Sequence, residues 1–248
     1  MSFWAFAKRR AQDGGEETVL HIDGVIGPGE GGVDWFGDTV VGSTAFNRAL
    51  RDHAGDLTVE INSPGGDVFA GVDMYAALCR HRGRVSVRVS WAASMASIIA
   101  QAAAPGALEI VPGGMMMIHE PWSAVQGNAG EMEREAEVLR EITDGMVGIY
   151  MQRYRGTEQE LREALAREEY LSAERAVACG LCDRVAEIAP GMNACNAQRI
   201  CALATDDAMA RWREAAKAAP GAKDEAAERI AEIVREAAQM CRRHARRE

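Results

Sequence analysis

Between residues 57 and 104, short β-branched runs alternate with helical stretches, and this alternation constrains the fold more than any other feature of the chain. Leu57-Thr-Val-Glu-Ile61 and Arg84-Val-Ser-Val-Arg-Val-Ser90 alternate apolar and polar residues, the period of two that half-buried strands require. Between them, residues 67–80 carry Val68, Val72, Tyr75 and Leu78 at helical spacing. The same reading predicts an opening strand over 17–26 and a glycine-rich stretch over 27–32. It predicts helices over 44–53, 131–154, 158–166 and 172–179, and a buried helix of small apolar residues over 92–104. Two short strands, 108–111 and 115–118, are expected on either side of Pro112-Gly-Gly114. Strands joined through helices cannot pair as tight hairpins, so the expectation is an α/β fold with a mainly parallel sheet.

Composition places limits on this picture. Of 248 residues, 48% are hydrophobic and 26% charged, the make-up of a globular chain able to bury a core. A domain over 17–190 is expected after an N-terminal segment, 1–16. Residues 191–248 change character: rich in Ala, Arg and Glu, broken at Pro220-Gly221 and ending in a basic run, they read as a helical, partly mobile C-terminal extension. No run approaches the ~20 apolar residues of a membrane span. The apolar part of Met1–Arg10 is too short for a secretory signal, and its charges lie on the wrong side. A cytoplasmic protein without a membrane partner is expected. The net charge of −9 argues against nucleic acid as a partner.

With no export signal, the six cysteines are not expected to pair as disulfides. Cys179 and Cys182 form a CxxC followed by Cys195 and Cys201, a set that a zinc ion would accept. The second pair lacks the short spacing of a zinc knuckle, and Cys179 and Cys182 sit where a helix ends and an apolar strand begins. They read as small buried hydrophobes, Cys79 and Cys241 stand apart from them in sequence, and no metal is expected.

Ser94 is the first residue that suggests chemistry. It lies in Trp-Ala-Ala-Ser-Met-Ala-Ser, where a strand is expected to give way to a helix of small residues. A sharp strand-to-helix turn of this kind presents nucleophilic serines in hydrolases, although serine also serves commonly as a plain helix cap. His119 ends the apolar run Met-Met-Met-Ile, at the carboxyl end of another expected strand. Active sites in parallel sheets gather at such ends, and a serine needs a base such as histidine to attack at neutral pH. The turn Ser63-Pro-Gly-Gly66 follows a third strand, and its glycines leave backbone N–H groups open to an oxyanion.

In this order, INSPGGDVFAG, WAASMAS, MMMIHEPW and EYLSAERAVACGL resemble the motifs of the ClpP family of serine peptidases, over roughly residues 18–188. Trp35-Phe36-Gly37-Asp38 and His119-Glu-Pro-Trp122 are similar to the ClpP-related head maturation (prohead) proteases of tailed bacteriophages and prophages. The resemblance implies the ClpP/crotonase-like fold, built of repeated β-β-α units. It implies Ser94 as nucleophile and His119, 25 residues later, as general base. The family's acid lies four residues before the serine of its Leu-Ser-Ala motif, which here is Glu168 rather than an aspartate. Glu169 and Asp183 are the alternatives. The backbone N–H groups of Gly66 and Met95 would hold the oxyanion. Acyl transfer by these groups requires no cofactor and no metal.

The same resemblance implies polypeptide substrates, scaffold and capsid proteins in the phage case, and a homo-oligomeric ring assembly joined through the long helix at 131–154. The chain has no phosphate-binding glycine-rich lysine loop, so any AAA+ unfoldase would be a separate partner. Its amino-terminal region does not look like the axial-loop segment of cellular ClpP. Two other readings remain: a catalytically silent ClpP-fold assembly protein, and a crotonase-type acyl-CoA enzyme, which would not need a serine paired with a histidine.

Overall fold

The computed structural model describes residues 6–10, 16–33 and 37–187. The expected extension at 191–248 lies outside these residues, as do Cys195, Cys201, Cys241 and the Trp35-Phe36 pair. In chain order the elements are β1 (Phe6–Arg10), β2 (Glu16–Asp23), β3 (Val25–Gly27), β4 (Gly32–Val33), β5 (Thr39–Gly42), α1 (Ser43–Asp52), β6 (Leu57–Ser63) and α2 (Val68–Cys79). Then follow β7 (Val85–Ala93), α3 (Met95–Ala100), β8 (Leu108–Ile118), α4 (Ala129–Tyr150), α5 (Glu158–Ala166), β9 (Glu169–Ser172), α6 (Ala173–Ala178) and β10 (Arg184–Val185).

The central sheet runs β1-β2-β6-β7-β8-β10. Strands β2, β6, β7, β8 and β10 are mutually parallel, β1 is antiparallel to β2, and β9 pairs antiparallel with the end of β8. The fold is therefore mixed α/β with a mainly parallel central sheet. A second, three-stranded sheet joins β3, β5 and β4. The period-two strands form as their pattern requires: Val59 and Ile61 on β6, and Val85, Val87 and Val89 on β7, are buried. They face a core that includes Leu20, Ile22, Phe46, Met74, Leu78, Ile98 and Ile99.

Two expectations are corrected. Ala92 and Ala93 belong to β7, and the helix after them spans six residues instead of filling 92–104. Small apolar side chains suit a buried strand and a buried helix equally, so their pattern does not mark the boundary. Residues 108–118 form one strand, not two, with Val111–Gly114 extruded from it. In the β7–β8 ladder Val89 faces Ile110 but Trp91 faces Met115, with Gly113 at φ 76 making the turn. This shift brings Ala93 opposite Met117, setting the residues after β7 beside those at the end of β8. The helix expected over 172–179 forms as α6, with Ser172 as its N-cap and Cys179 as its C-cap, and residues 169–172 form a strand that the pattern does not announce. Phe6–Arg10, within the segment set apart as 1–16, adds a strand to the central sheet.

Long, partly exposed α4 starts with a full capping box: the Asn128 side chain accepts from Glu131 N–H, and the Glu131 carboxylate accepts from Asn128 N–H. Its carboxyl half buries Thr143, Met146, Val147 and Tyr150, whereas Met132 and Val138 in its first half are exposed. Among the described residues, no helix is long and apolar enough to cross a membrane.

Candidate active site

The expected serine, histidine and glycine turn converge at the carboxyl ends of three neighbouring parallel strands, β6, β7 and β8. Ser94 stands at the N-cap of α3 but makes no side-chain cap bond. Its Oγ lies 2.8 Å from His119 Nε2. The backbone at Ser94 is in the left-handed region, φ 53 and ψ −126, and the Ser94 N–H donates to the Met117 carbonyl at 2.9 Å. The turn is thus fastened to β8, two residues before His119.

His119 is half-buried, and loss of solvent holds its imidazole below the ordinary value, against the opposing charge of Glu168. Burial thus favours the neutral ring, and in its Nδ1–H tautomer Nε2 accepts from the Ser94 hydroxyl. That is the protonation state a general base needs.

The two glycines of the turn answer two different packing demands. At Gly65 (φ 92), an added Cβ would lie 2.6 Å from the Ala93 carbonyl oxygen and 2.7 Å from Ser94 Cβ. At Gly66 (φ 147) it would collide with the Ile26 backbone of β3. Gly65 thus lets the turn press against the serine, and Gly66 lets it lie along β3, where Asp67 N–H donates to the Ile26 carbonyl at 2.9 Å. Buried Ser63 ties the turn from beneath, donating to the Gly24 carbonyl and accepting from Gly65 N–H. Among the described residues, the N–H groups of Gly66 and Met95 donate to no other group. Gly71 on α2 packs against Met95, with an added Cβ 3.0 Å from Met95 Cβ, so α2 supports the start of α3.

The three acidic candidates separate by their partners. Asp183 accepts from Leu108 N–H at 2.8 Å and pairs with Arg153 at 3.1 Å, tying β10 to β8. Glu169 pairs with Arg167 and Arg175. Glu168 is exposed, lies near enough to His119 to raise its pKa by charge, and accepts from the Tyr170 hydroxyl at 3.0 Å. No hydrogen bond joins Glu168 to the imidazole among the described residues. Its backbone is also left-handed, φ 53, and its N–H donates to the Leu165 carbonyl at 3.1 Å. That carbonyl also accepts from Glu120 N–H at 3.2 Å, so one atom pins the residue after the histidine and the acid corner together. Ser94 and Glu168 are the two non-glycine residues with positive φ among the described residues. Strain of this kind costs roughly 1–3 kcal/mol and concentrates at functional sites.

Two residues bonded to the candidate site escape a reading of the sequence. Tyr170, the partner of Glu168, belongs to a strand too short to carry a period. Ser97, whose Oγ donates to the Ser94 carbonyl at 2.6 Å, reads only as another small residue of α3. Cys182 is buried, and burial pushes its thiol up to about 12, as expected of a small hydrophobe. A family model described as Clp protease matches residues 47–189, more than half of the chain.

Proposed function

The chain belongs to the Clp protease family, and from that premise we propose that it is a serine endopeptidase in which Ser94 is the nucleophile and His119 the base. One observation carries this reading: a backbone-strained serine whose Oγ lies 2.8 Å from the imidazole of a desolvated histidine. His119 takes the Ser94 proton as Oγ attacks a peptide carbonyl. The N–H groups of Gly66 and Met95 stabilise the tetrahedral oxyanion. His119 then protonates the leaving amine, and water, deprotonated by the same ring, releases the acyl-enzyme. Glu168 stabilises the imidazolium by its charge and, of the three acids, is the one without an arginine ion pair among the described residues. No step calls for a cofactor.

The substrates are polypeptides, and the working form is a ring assembly. The exposed first half of α4, with Met132 and Val138 at its surface, supports a subunit contact there. Within the family we assign the chain to the phage head maturation branch, on His119-Glu-Pro-Trp122 and the Trp35-Phe36-Gly37-Asp38 segment, with scaffold and capsid proteins as its targets. The exposed Glu168, bonded to Tyr170 instead of the imidazole, favours the second reading, a silent assembly protein. Incubating the purified oligomer with an unfolded polypeptide separates the two. Cleavage lost in Ser94→Ala with the oligomer intact supports the peptidase. Turnover by neither supports the silent protein, and equal turnover by both rules out Ser94 as the nucleophile.

A further inference from the structure

The strained peptide that follows the nucleophile is anchored from inside the protein. The Ser94 carbonyl accepts from Ser97 N–H at 3.0 Å and from Ser97 Oγ at 2.6 Å. Ser97 Oγ also lies 2.7 Å from Tyr150 Oη. Because the Ser97 proton is engaged by the carbonyl, the Tyr150 hydroxyl is the donor into Ser97 Oγ. Both side chains are fully buried, and burial raises the Tyr150 phenol pKa, so the donor keeps its proton. Tyr150 reaches this point from the carboxyl end of α4, 53 residues away in sequence.

The geometry has a direct consequence for the oxyanion site. The Ser94–Met95 peptide is trans, so its C=O and N–H point in opposite directions. Anchoring the carbonyl therefore fixes where the Met95 N–H aims, and that N–H has no acceptor among the described residues. We propose that Ser97 and Tyr150 are positioning residues, Tyr150 acting through Ser97, which together hold the Ser94–Met95 peptide so that the Met95 N–H faces the developing oxyanion. This inference rests on the reading of Ser94 as nucleophile.

The test is the kinetics of labelling of the full-length, assembled protein by a fluorophosphonate probe, whose phosphoryl oxygen occupies the oxyanion position. Limiting rate and half-saturating concentration are measured for wild type, Ser97→Ala, Tyr150→Phe and the double variant, with the melting temperature of each. Ser97→Ala lowers the limiting rate about tenfold with the half-saturating concentration unchanged, a fraction of the 10²–10³ that loss of a whole oxyanion donor costs. It also lowers the melting temperature, because the Tyr150 hydroxyl is left buried and unpaired. The double variant has no unpaired hydroxyl, so its melting temperature recovers, while its limiting rate stays as low as that of Ser97→Ala. Stability and rate thus part company, which a merely structural pair would not allow. An unchanged rate in Ser97→Ala, or a rate that recovers with the melting temperature in the double variant, overturns the inference. Wild-type labelling that persists in Ser94→Ala instead overturns the reading of the nucleophile on which it rests.

Discussion

The Ser94 elbow and the Glu168 corner share a positive φ, 53 in both, yet they are held in opposite ways. The elbow is braced on every side: Met117 accepts its N–H, Ser97 holds its carbonyl, Gly65 presses against its Cβ, and His119 Nε2 lies within hydrogen-bond distance of its hydroxyl. The acid corner is an exposed helix terminus. Glu168 follows the C-cap Arg167 of α5, at the left-handed position that glycine usually fills. Among the described residues its carboxylate bonds Tyr170, two residues on, instead of the imidazole. The strain at the serine is over-determined by packing, whereas the strain at the acid is held mainly by one backbone bond. We read the nucleophile and base as preorganised within a single subunit and the acid as acting at a distance, through charge.

Substitutions at each corner test this contrast. Ser94→Ala has the largest effect, a loss of cleavage of at least about 10⁴-fold, near 5.5 kcal/mol in the barrier, with the assembly unchanged by size-exclusion chromatography. A smaller loss would mean that the braced elbow is not the reacting centre. Gly65→Ala forces a methyl group against the Ala93 carbonyl and Ser94 Cβ, and destabilises by about 3 kcal/mol in denaturant titration. A neutral outcome would show the elbow to be looser than its contacts imply. For Glu168→Gln the expected loss in kcat is about 10–100-fold, less than the ~10⁴ that follows when an acid bonded to the imidazole is made an amide. The same variant removes the charge that raises the His119 pKa. Because the base must be neutral, the acidic limb of kcat/KM lies below pH 6.5 in the wild type and moves lower still in Glu168→Gln. A loss near 10⁴ would mean that the carboxylate reaches the ring in the working assembly, and the contrast between the corners would disappear. Smallest is Glu168→Gly. It relieves the left-handed strain and raises stability by roughly 0.5–1 kcal/mol, while activity falls as in Glu168→Gln. Were stability to fall instead, the Tyr170 contact would be holding the corner.

These differences also mark how much of the molecule can be read from its sequence. β6 and β7 announce themselves because buried Val and Ile residues alternate with polar ones along each, a period of two. Ser94 and His119 are legible because they stand at the ends of such strands, where side chains from neighbouring strands must meet. The length of β8 is hidden by Pro112-Gly-Gly114, which looks like a break between two strands and is instead an excursion from one. β9 is four residues long and opens on Glu169, so it carries too little pattern to be told from the helices around it. The Ser97–Tyr150 contact cannot be read at all from spacing, since it depends on how α4 crosses α3. Whether a given acid faces the imidazole is likewise a matter of side-chain direction, and at residues 168 and 169 the sequence offers two adjacent glutamates.

Treating the folded, assembled protein with a fluorophosphonate probe and mapping the labelled peptide by mass spectrometry tests the central claim, that Ser94 is an activated nucleophile. Labelling confined to Ser94, absent from Ser94→Ala and fading as His119 is protonated in acid, is the predicted result. No labelling of the assembled protein, or labelling that survives in Ser94→Ala, would contradict it.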